Sequence, residues 1–446
     1  MLPLPQVAEP LLMSLSIPFT KPTFNRIMVL LVGAVLAKGR RTVTSILWIM
    51  GKQAPGHMSD YHRVLSRAPW ALLPLGKILV AAVTEWLPDG PVVVAMDDTT
   101  AQHKGKKVYG KGCHHDAVRS SHSHVVHRWG HKWVVLAIVL KLPFTRRPWA
   151  LPVLCALYRP RELNEQEGRR HKTPIMLARG LMCVLMKWFP DKRFVFLGDG
   201  GYASHELACF CRRHRKRATL VSRFHGDAAL YDLPLKYQGT GRPRVRGRKR
   251  KSPQDVVAAS RLSNATVDWY GATSRAVKLK SDNGYWYKAG QGLVAIRWVF
   301  VRDDTGTRRD EYYYTTDPML AAIHIVSLFT QRWPIETTFQ EIREHLGFET
   351  TRQRVANSVL RTAPCLLGLF TIISLIYAKH TQRSAVHLCH RPGYEKTEPT
   401  FSDAVSAVRR LFWVETVFQQ PYFHKTFNKL PPKLKTTILD YLSQSV

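Results

Sequence analysis

Phe329, Arg332, Glu336 and Arg343, within the segment FTQRWPIETTFQEIR, form a spaced set. At about 100° per residue a helix brings these four within roughly 60° of one another. A carboxylate between two arginines suits a solvated helix face poorly. It suits a metal-binding acid held beside a phosphate backbone well. Pro334 interrupts the ladder, so the shared face is approximate across that point. Upstream, Asp97 and Asp98 close the apolar run PVVVAMDD, and Asp199 closes RFVFLGD. Three acids so arranged in a very basic chain match what divalent-metal chemistry on phosphodiesters asks for. There, two ions about 3.5–4 Å apart activate the nucleophile and stabilise the leaving oxygen. Magnesium (or manganese) needs hard oxygen ligands and keeps much of its water, so three carboxylates plus substrate phosphate suffice. Adjacent strand residues point to opposite faces, so only one of Asp97 and Asp98 can face the metals.

The remaining basic and aromatic residues suggest how a polyanion is held. Arginine forks match phosphate bidentately, which fits Arg332 and Arg343. Trp333 beside them either stacks on an unpaired base or packs at the helix start. The tract GRPRVRGRKRK carries Arg242, Arg244, Arg246, Arg248, Lys249, Arg250 and Lys251. It reads as a non-specific minor-groove contact, against the alternative of a solvated loop. Lys104, Lys106, Lys107, Lys111 and Arg119 follow the first acid and suggest a DNA-facing loop. Arg212 to Arg217 end a helix, where basic residues also complement the helix dipole. The histidines His114, His115, His122, His124 and His127 match no closed zinc spacing, and only Cys113 is near. Cys209-x-Cys211 with His214 reads as a helix face. No glycine-rich phosphate loop indicates a nucleotide cofactor.

The three-acid pattern resembles the DDE transposases of bacterial insertion sequences, in particular the cut-and-paste group with a Tyr-x2-Arg-x3-Glu-x6-Lys signature. Here it reads Phe329-x2-Arg332-x3-Glu336-x6-Arg343, with Tyr and Lys replaced. Asp98-Thr99-Thr100 is similar to that group's first acid segment, and Leu197-Gly198-Asp199-Gly200-Gly201-Tyr202 to its second. The likeness spans roughly residues 90–380. It implies an RNase H-like fold, catalytic and metal-binding roles for Asp98, Asp199 and Glu336, and two Mg²⁺ or Mn²⁺ ions per site. It favours Asp98 over Asp97. It implies double-stranded DNA, both element ends and target, as the partner, with a homodimer on DNA. The Trp333 equivalent holds a flipped base in that group. The reaction implied is nicking at terminal inverted repeats, then joining of 3′-OH ends to target DNA. The rival readings are a metal-dependent nuclease without strand transfer and a catalytically silent DNA-binding derivative.

The elements that must position these residues follow from periodicity. The chain has 446 residues, 45% of them apolar, enough for a large core. It carries 66 basic against 32 acidic residues, a net charge of +34, and a field of that sign predicts a polyanionic partner. No segment reaches about 18 uninterrupted apolar residues; Pro364 to Ala378 comes closest and reads as a buried helix. No membrane is therefore expected, and no signal peptide. Seven scattered cysteines suggest reduced thiols, hence a cytoplasmic, nucleoid-associated protein.

The expected fold is α/β: an RNase H-like catalytic domain with an inserted β subdomain, flanked by helical terminal regions. Residues 1–88 read as helical, with Thr42 as a cap, and form either a helix-turn-helix-like DNA reader or plain packing. Residues 89–218 hold the first part of the catalytic domain. Its expected strands are Pro91 to Met96, Lys132 to Leu142, Trp149 to Tyr158 and Arg193 to Leu197, with a helix from Thr173 to Trp188 and Ser204 capping the next. Residues 219–318 read as the β-rich insertion, with short strands at Ala276 to Lys280, Tyr285 to Lys288, Val294 to Arg302 and Glu311 to Thr316. Asp317-Pro318 is expected to open the helical return in residues 319–380. Residues 381–446 hold short helices that contact DNA or a second subunit.

Overall fold

The computed structural model describes residues 2–116, 120, 123–237, 239–269, 273–384, 388, 393 and 395–444. Arg119 and His122 lie outside them.

Five strands form the centre of one sheet. They are β1 (Val92–Gln102), β3 (His127–Lys141), β4 (Pro148–Tyr158), β5 (Phe194–Gly198) and β6 (Ala218–Arg223), and β2 (Gly112–His115) pairs with the start of β3. Their spatial order is β4-β3-β1-β5-β6; β3 is antiparallel to both β1 and β4, whereas β1, β5 and β6 run parallel. This is the RNase H-like arrangement. β1 and β5 are apolar on both faces, as strands buried under helices must be.

β1 does not stop at its acids. It runs on to Gln102, because β3 pairs with it as far as Gln102↔Gly130. A Cβ on Gly130 would sit 2.1 Å from the Ala101 carbonyl oxygen, so the close approach of these strands requires glycine.

The inserted strands extend the same sheet. β7 (Leu230–Tyr231), β8 (Ser263–Trp269), β9 (Thr273–Lys288), β10 (Gly292–Asp303) and β11 (Glu311–Thr315) form a run in which β11 lies antiparallel to β6. The two short strands expected at 276–280 and 285–288 are one strand, β9, paired along its length with β10. Four strands among the described residues were not expected from sequence: β2, β6, β7 and β8.

Helices cover both faces. α6 (Arg161–Gln166) precedes α7 (Pro174–Trp188), whose N-cap Thr173 accepts from Met176 N; α8 (His205–Arg213) is capped by Ser204 accepting from Leu207 N. α9 (Pro253–Ala258) sits in the insertion, and α10 (Ala322–Thr330) lies over the extended sheet, burying Ile325, Val326 and Phe329 against Val195, Leu197, Val299 and Tyr313. Asp317 does not cap α10: its Oδ1 accepts from Met319 N in a separate turn, and the helix starts four residues later. α11 (Pro334–Leu346) begins with Pro334 in its first turn, where the missing N–H costs nothing. Gly347 at φ +62 ends it in the left-handed conformation glycine tolerates.

The terminal regions share the core. α1 (Glu9–Ser14), α2 (Lys21–Leu36), α3 (Val43–Met50), α4 (Met58–Ser66) and α5 (Leu72–Thr84) pack with α12 (Ala356–Thr381), α13 (Phe401–Phe412), α14 (Pro421–Lys429) and α15 (Pro432–Ser443). One buried apolar cluster runs from Val7 to Leu439 and includes the strands β1, β3 and β4. Thr42 caps α3 by accepting from Ser45 N. α12 exceeds the sequence expectation: at 26 residues it is long and apolar enough to cross a membrane, but 67% of its most apolar window is buried inside the protein. Two of its fully buried polar side chains are satisfied there. Thr371 donates to the Pro152 carbonyl at 2.6 Å and Ser374 to that of Phe370 at 2.8 Å.

Candidate active site

The acids meet at the edge where β1 outruns β5. The parallel register ends at Met96↔Gly198, so the next step along sets Asp97 beside Asp199. Alternation then assigns the faces. Val93, Val195 and Leu197 pack into the core under α10, and Asp97 and Asp199 share that face. α11 lies on the same side. Arg332, in the turn before it, donates from Nη1 to Asp97 Oδ2 at 2.8 Å and from Nη2 to Glu336 Oε1 at 2.6 Å. Arg343, two turns further on, donates to Thr99 Oγ1 and lies 3.6 Å from Glu349 Oε1. Asp97 and Thr99 are thus both fixed from α11.

Asp98 faces the other way. Its Oδ1 lies 3.0 Å from Lys132 Nζ, a neighbour across the β1–β3 ladder, and the buried Tyr202 phenol lies near enough to interact with it electrostatically. The resemblance selects Asp98; the geometry ties Asp97, through Arg332, to Glu336. Both aspartates feel Asp199.

The electrostatics describe a site with surplus negative charge. Burial pushes the Asp97 carboxyl up to about 7; Arg332 opposes the shift, and Asp199 and Asp98 reinforce it. Asp98 is raised too, again by burial, with Lys132 opposing. Burial, then Asp98, holds the Tyr202 phenol well above its ordinary range. Asp199 Oδ1 accepts from Gly201 N at 2.9 Å, which fixes its rotamer. Glu336 is more open than either β1 aspartate, with 38% of its side chain exposed against 15% for Asp97 and 27% for Asp98.

The helical face expected of Phe329, Arg332, Glu336 and Arg343 is divided. Pro334 separates α10 from α11, and Phe329 stacks on Tyr313 at 4.1 Å within the core. Its ring still lies 5.9 Å from the Arg332 guanidinium. Arg332 is 8% exposed and spends both terminal nitrogens on carboxylates, so it is not a free phosphate fork in this structure. Trp333, at the N-cap of α11, is 43% exposed.

The other basic residues divide as well. Lys104, Lys106 and Lys107 are exposed on the loop that leaves β1. In the tract, Arg242, Arg244, Arg248 and Lys249 are exposed, whereas Arg246 stacks over the rings of Tyr231 and Tyr287 at 4.6 and 4.8 Å. Arg250 pairs with Asp282 at 2.8 Å, and Lys251 is exposed. The tract is therefore pinned to β7 and β9 from Arg246 onward, and Arg242 and Arg244 before it are exposed. His114 is buried against Tyr158, and His131 contacts the Tyr109 carbonyl at 2.9 Å. These histidines serve as core groups. Cys209 and Cys211 are buried on α8.

Sequence reasoning missed Lys132 and Tyr202. Tyr202 stood in the quoted LGDGGY segment. Lys132 opened an apolar run, and only the β1–β3 register reveals that it reaches Asp98.

No curated protein sequence matches this chain. Among solved structures, a piggyBac transposase synaptic complex with hairpin DNA aligns at 12% identity and a TM-score of 0.42, over 98% of this chain and 81% of that one. The family model for DDE superfamily endonucleases matches residues 15–276, which hold Asp97, Asp98 and Asp199 and stop short of Glu336. With well over half of its length so matched, and with acids gathered at the edge of an RNase H-like sheet, the chain belongs to the DDE superfamily of endonucleases.

Proposed function

We propose that this DDE endonuclease is a transposase of the bacterial insertion-sequence type. It nicks duplex DNA at the element's terminal inverted repeats and joins the 3′-OH ends to target DNA, acting as a homodimer on DNA. The observation that carries this reading is that Arg332 bridges Asp97 and Glu336 while the β1–β5 register sets Asp199 beside Asp97.

DDE superfamily nucleases use divalent metal ions. The residues here fit one. The donor set is all hard carboxylate oxygen, and Asp97 and Glu336 share the one guanidinium of Arg332. Asp97, Asp199 and Glu336 are the residues we assign to hold Mg²⁺ or Mn²⁺, two ions per site. Bound there, the metal supplies activation of the attacking water or 3′-OH and stabilisation of the leaving oxygen. The protein's own groups do the rest. Gly201 N holds Asp199 in one rotamer, Arg343 fixes β1 through Thr99, and Lys132 holds Asp98 on the opposite face. The exposed lysines after β1 and the tract from Arg242 to Lys251 supply non-specific phosphate contacts, and affinity rests on them.

The test uses one labelled end substrate and a target plasmid. Asp97→Asn, Asp199→Asn and Glu336→Gln abolish nicking and leave DNA binding nearly intact, and Asp98→Asn retains measurable nicking. Should Asp98→Asn be the dead variant and Asp97→Asn the live one, the first acid is Asp98. Mg²⁺ or Mn²⁺ supports the reaction and Ca²⁺ does not. Nicking that survives excess EDTA sinks the metal reading. Nicked ends without joined product would make the protein a nuclease only, and a wild type that binds DNA but does not nick it would make it a silent derivative.

A further inference from the structure

We infer that Arg332 is a resident cation of the metal-free site, one that a divalent ion must displace. This rests on the metal-nuclease reading above. Arg332 differs from the buried Arg361 and Arg409 in what it touches, and from the buried Arg159, whose single carboxylate partner is Glu167, in bridging two acids. Arg361 and Arg409 donate to backbone carbonyls, which keep their acceptor character whatever else binds. Arg332 instead donates to two carboxylates, Asp97 and Glu336, and its buried Nε has no hydrogen-bond partner among the described residues. Its place is therefore held by the charge of the acids it bridges.

That place is where a metal must go. The guanidinium stands between an acid on β1 and an acid on α11, and it also feels Asp199. Without a cation, these carboxylates would face one another in a poorly solvated cleft, which is costly. With Arg332 in place the cluster is partly neutralised and the two elements are held together. A divalent ion bound to the same oxygens would meet a positive charge a few ångströms away and would have to drive Nη1 off Asp97. Arg332 is thus a positioning residue before the metal arrives and a competitor as it arrives. The fork released from Asp97 becomes available to a substrate phosphate, which reconciles the arginine's sequence signature with its observed partners.

The experiment titrates Mn²⁺ into the full-length protein without DNA and follows free ion by electron paramagnetic resonance. The chains compared are wild type, Arg332→Gln, Arg332→Lys and Glu336→Gln. If Arg332 is a resident cation, Arg332→Gln binds its first Mn²⁺ tighter by about tenfold or more, the direction expected when a unit charge beside a divalent ion is removed. Arg332→Lys keeps the charge without the two-pronged fork, and its affinity falls between the other two. Metal-free Arg332→Gln melts below wild type, and Mn²⁺ closes the gap. A purely structural arginine predicts the opposite, weaker Mn²⁺ binding in both substitutions. Affinity in Arg332→Gln equal to or weaker than wild type overturns the inference. If that variant does not fold, Arg332→Lys binding no tighter than wild type overturns it instead. Saturable Mn²⁺ binding in wild type that Glu336→Gln removes keeps the metal reading standing in either case. Its absence from every chain brings down both.

Discussion

The helical layer and the 242–251 tract use the same side chain in opposite ways. In the helical layer, Arg361 donates to the carbonyls of Val64, Leu65, Ala68 and Trp70, at 2.7–3.3 Å, and lies 4.4 Å from the Trp70 ring. Arg409 reaches the carbonyls of Val35, Ala37 and Gln444, and Arg41 reaches those of Ala34, Gly39 and His345. Most of these carbonyls close helices, whose last four have no partner within the helix. A guanidinium with five donors is suited to collect them. In the tract, Arg242, Arg244 and Arg248 stand in water. The lesson concerns the net charge of +34. Some of that charge holds the fold together and is not offered to a polyanion. Burial lowers Arg409 to about 9 and Arg41 to about 10, the electrostatic mark of structural service.

The contrast breaks most visibly in stability. Arg361→Met keeps the apolar stem and removes every guanidinium donor, leaving the Leu65 and Trp70 carbonyls unsatisfied at about 1–3 kcal/mol each, while Trp70 Nε1 still donates to the Val64 carbonyl and Trp70 N to that of Ala68. We expect a loss of about 2 kcal/mol or more in denaturant unfolding, and Arg409→Met should behave alike. Because Arg361 ties α12 to α4 and Arg409 ties α13 to α2, either loss should loosen the terminal helices from the core. A change below about 1 kcal/mol in both variants would mean water or neighbouring donors replace them, and the division between structural and solvent arginines would lose its force.

This division was illegible in the sequence, and the reason is physical. Arg361 and Arg409 touch carbonyls far away in the chain. Local pattern reports propensity and faces, not tertiary partners. What it did report was sound near the site: β3, β4, β5 and α7 lie close to where apolar runs and the Thr173 cap put them. Failures came where pairing overrode local chemistry. Asp97 and Asp98 look like strand terminators, yet β3 carries β1 past them. Ser281-Asp282-Asn283-Gly284 looks like a turn, yet β9 continues through it because β10 pairs opposite, and Gly284 packs closely on Leu230. β6 was hidden behind the basic run Arg212 to Arg217. Of the site, residue types and chain order were readable. Which aspartate faces α11, and what Arg332 holds, needed the β1–β5 register and the break at Pro334.

The tract gives the second, smaller test. Replacing Arg242, Arg244, Arg248 and Lys249 with Gln should change folding stability by less than about 0.5 kcal/mol, as surface changes do. It should flatten the dependence of DNA affinity on salt, by about 0.9 in log–log slope for each phosphate no longer neutralised. Arg246 and Arg250 are left alone because they anchor the tract on Tyr231, Tyr287 and Asp282. An unchanged slope would return the tract to a solvated loop and leave the lysines after β1 as the main candidates for holding phosphate.

The smallest effect comes from residues that answer burial differently. An arginine cannot shed its proton and must find carbonyls, whereas a buried histidine can go neutral. His114 and His131 do so: burial lowers both to about 4, with the Tyr109 carbonyl partly opposing this at His131. The unfolded chain, with histidines near the usual value of about 6.5, binds more protons than the folded one between those values. Stability present above about pH 6.5 is therefore lost as pH falls toward about 4. Asp97 acts with the opposite sign in an overlapping window, since its folded carboxyl is raised and holds a proton that the unfolded chain releases. The readout is thus the difference between wild type and a His114→Phe, His131→Phe double variant in metal-free buffer. The wild type should lose more stability between about pH 6.5 and 4, moving its acid midpoint upward by less than about one pH unit relative to the variant. Coincident acid limbs would mean these rings are hydrated and titrate normally, and that burial at the β1–β3 edge is looser than at the carbonyl-bound arginines.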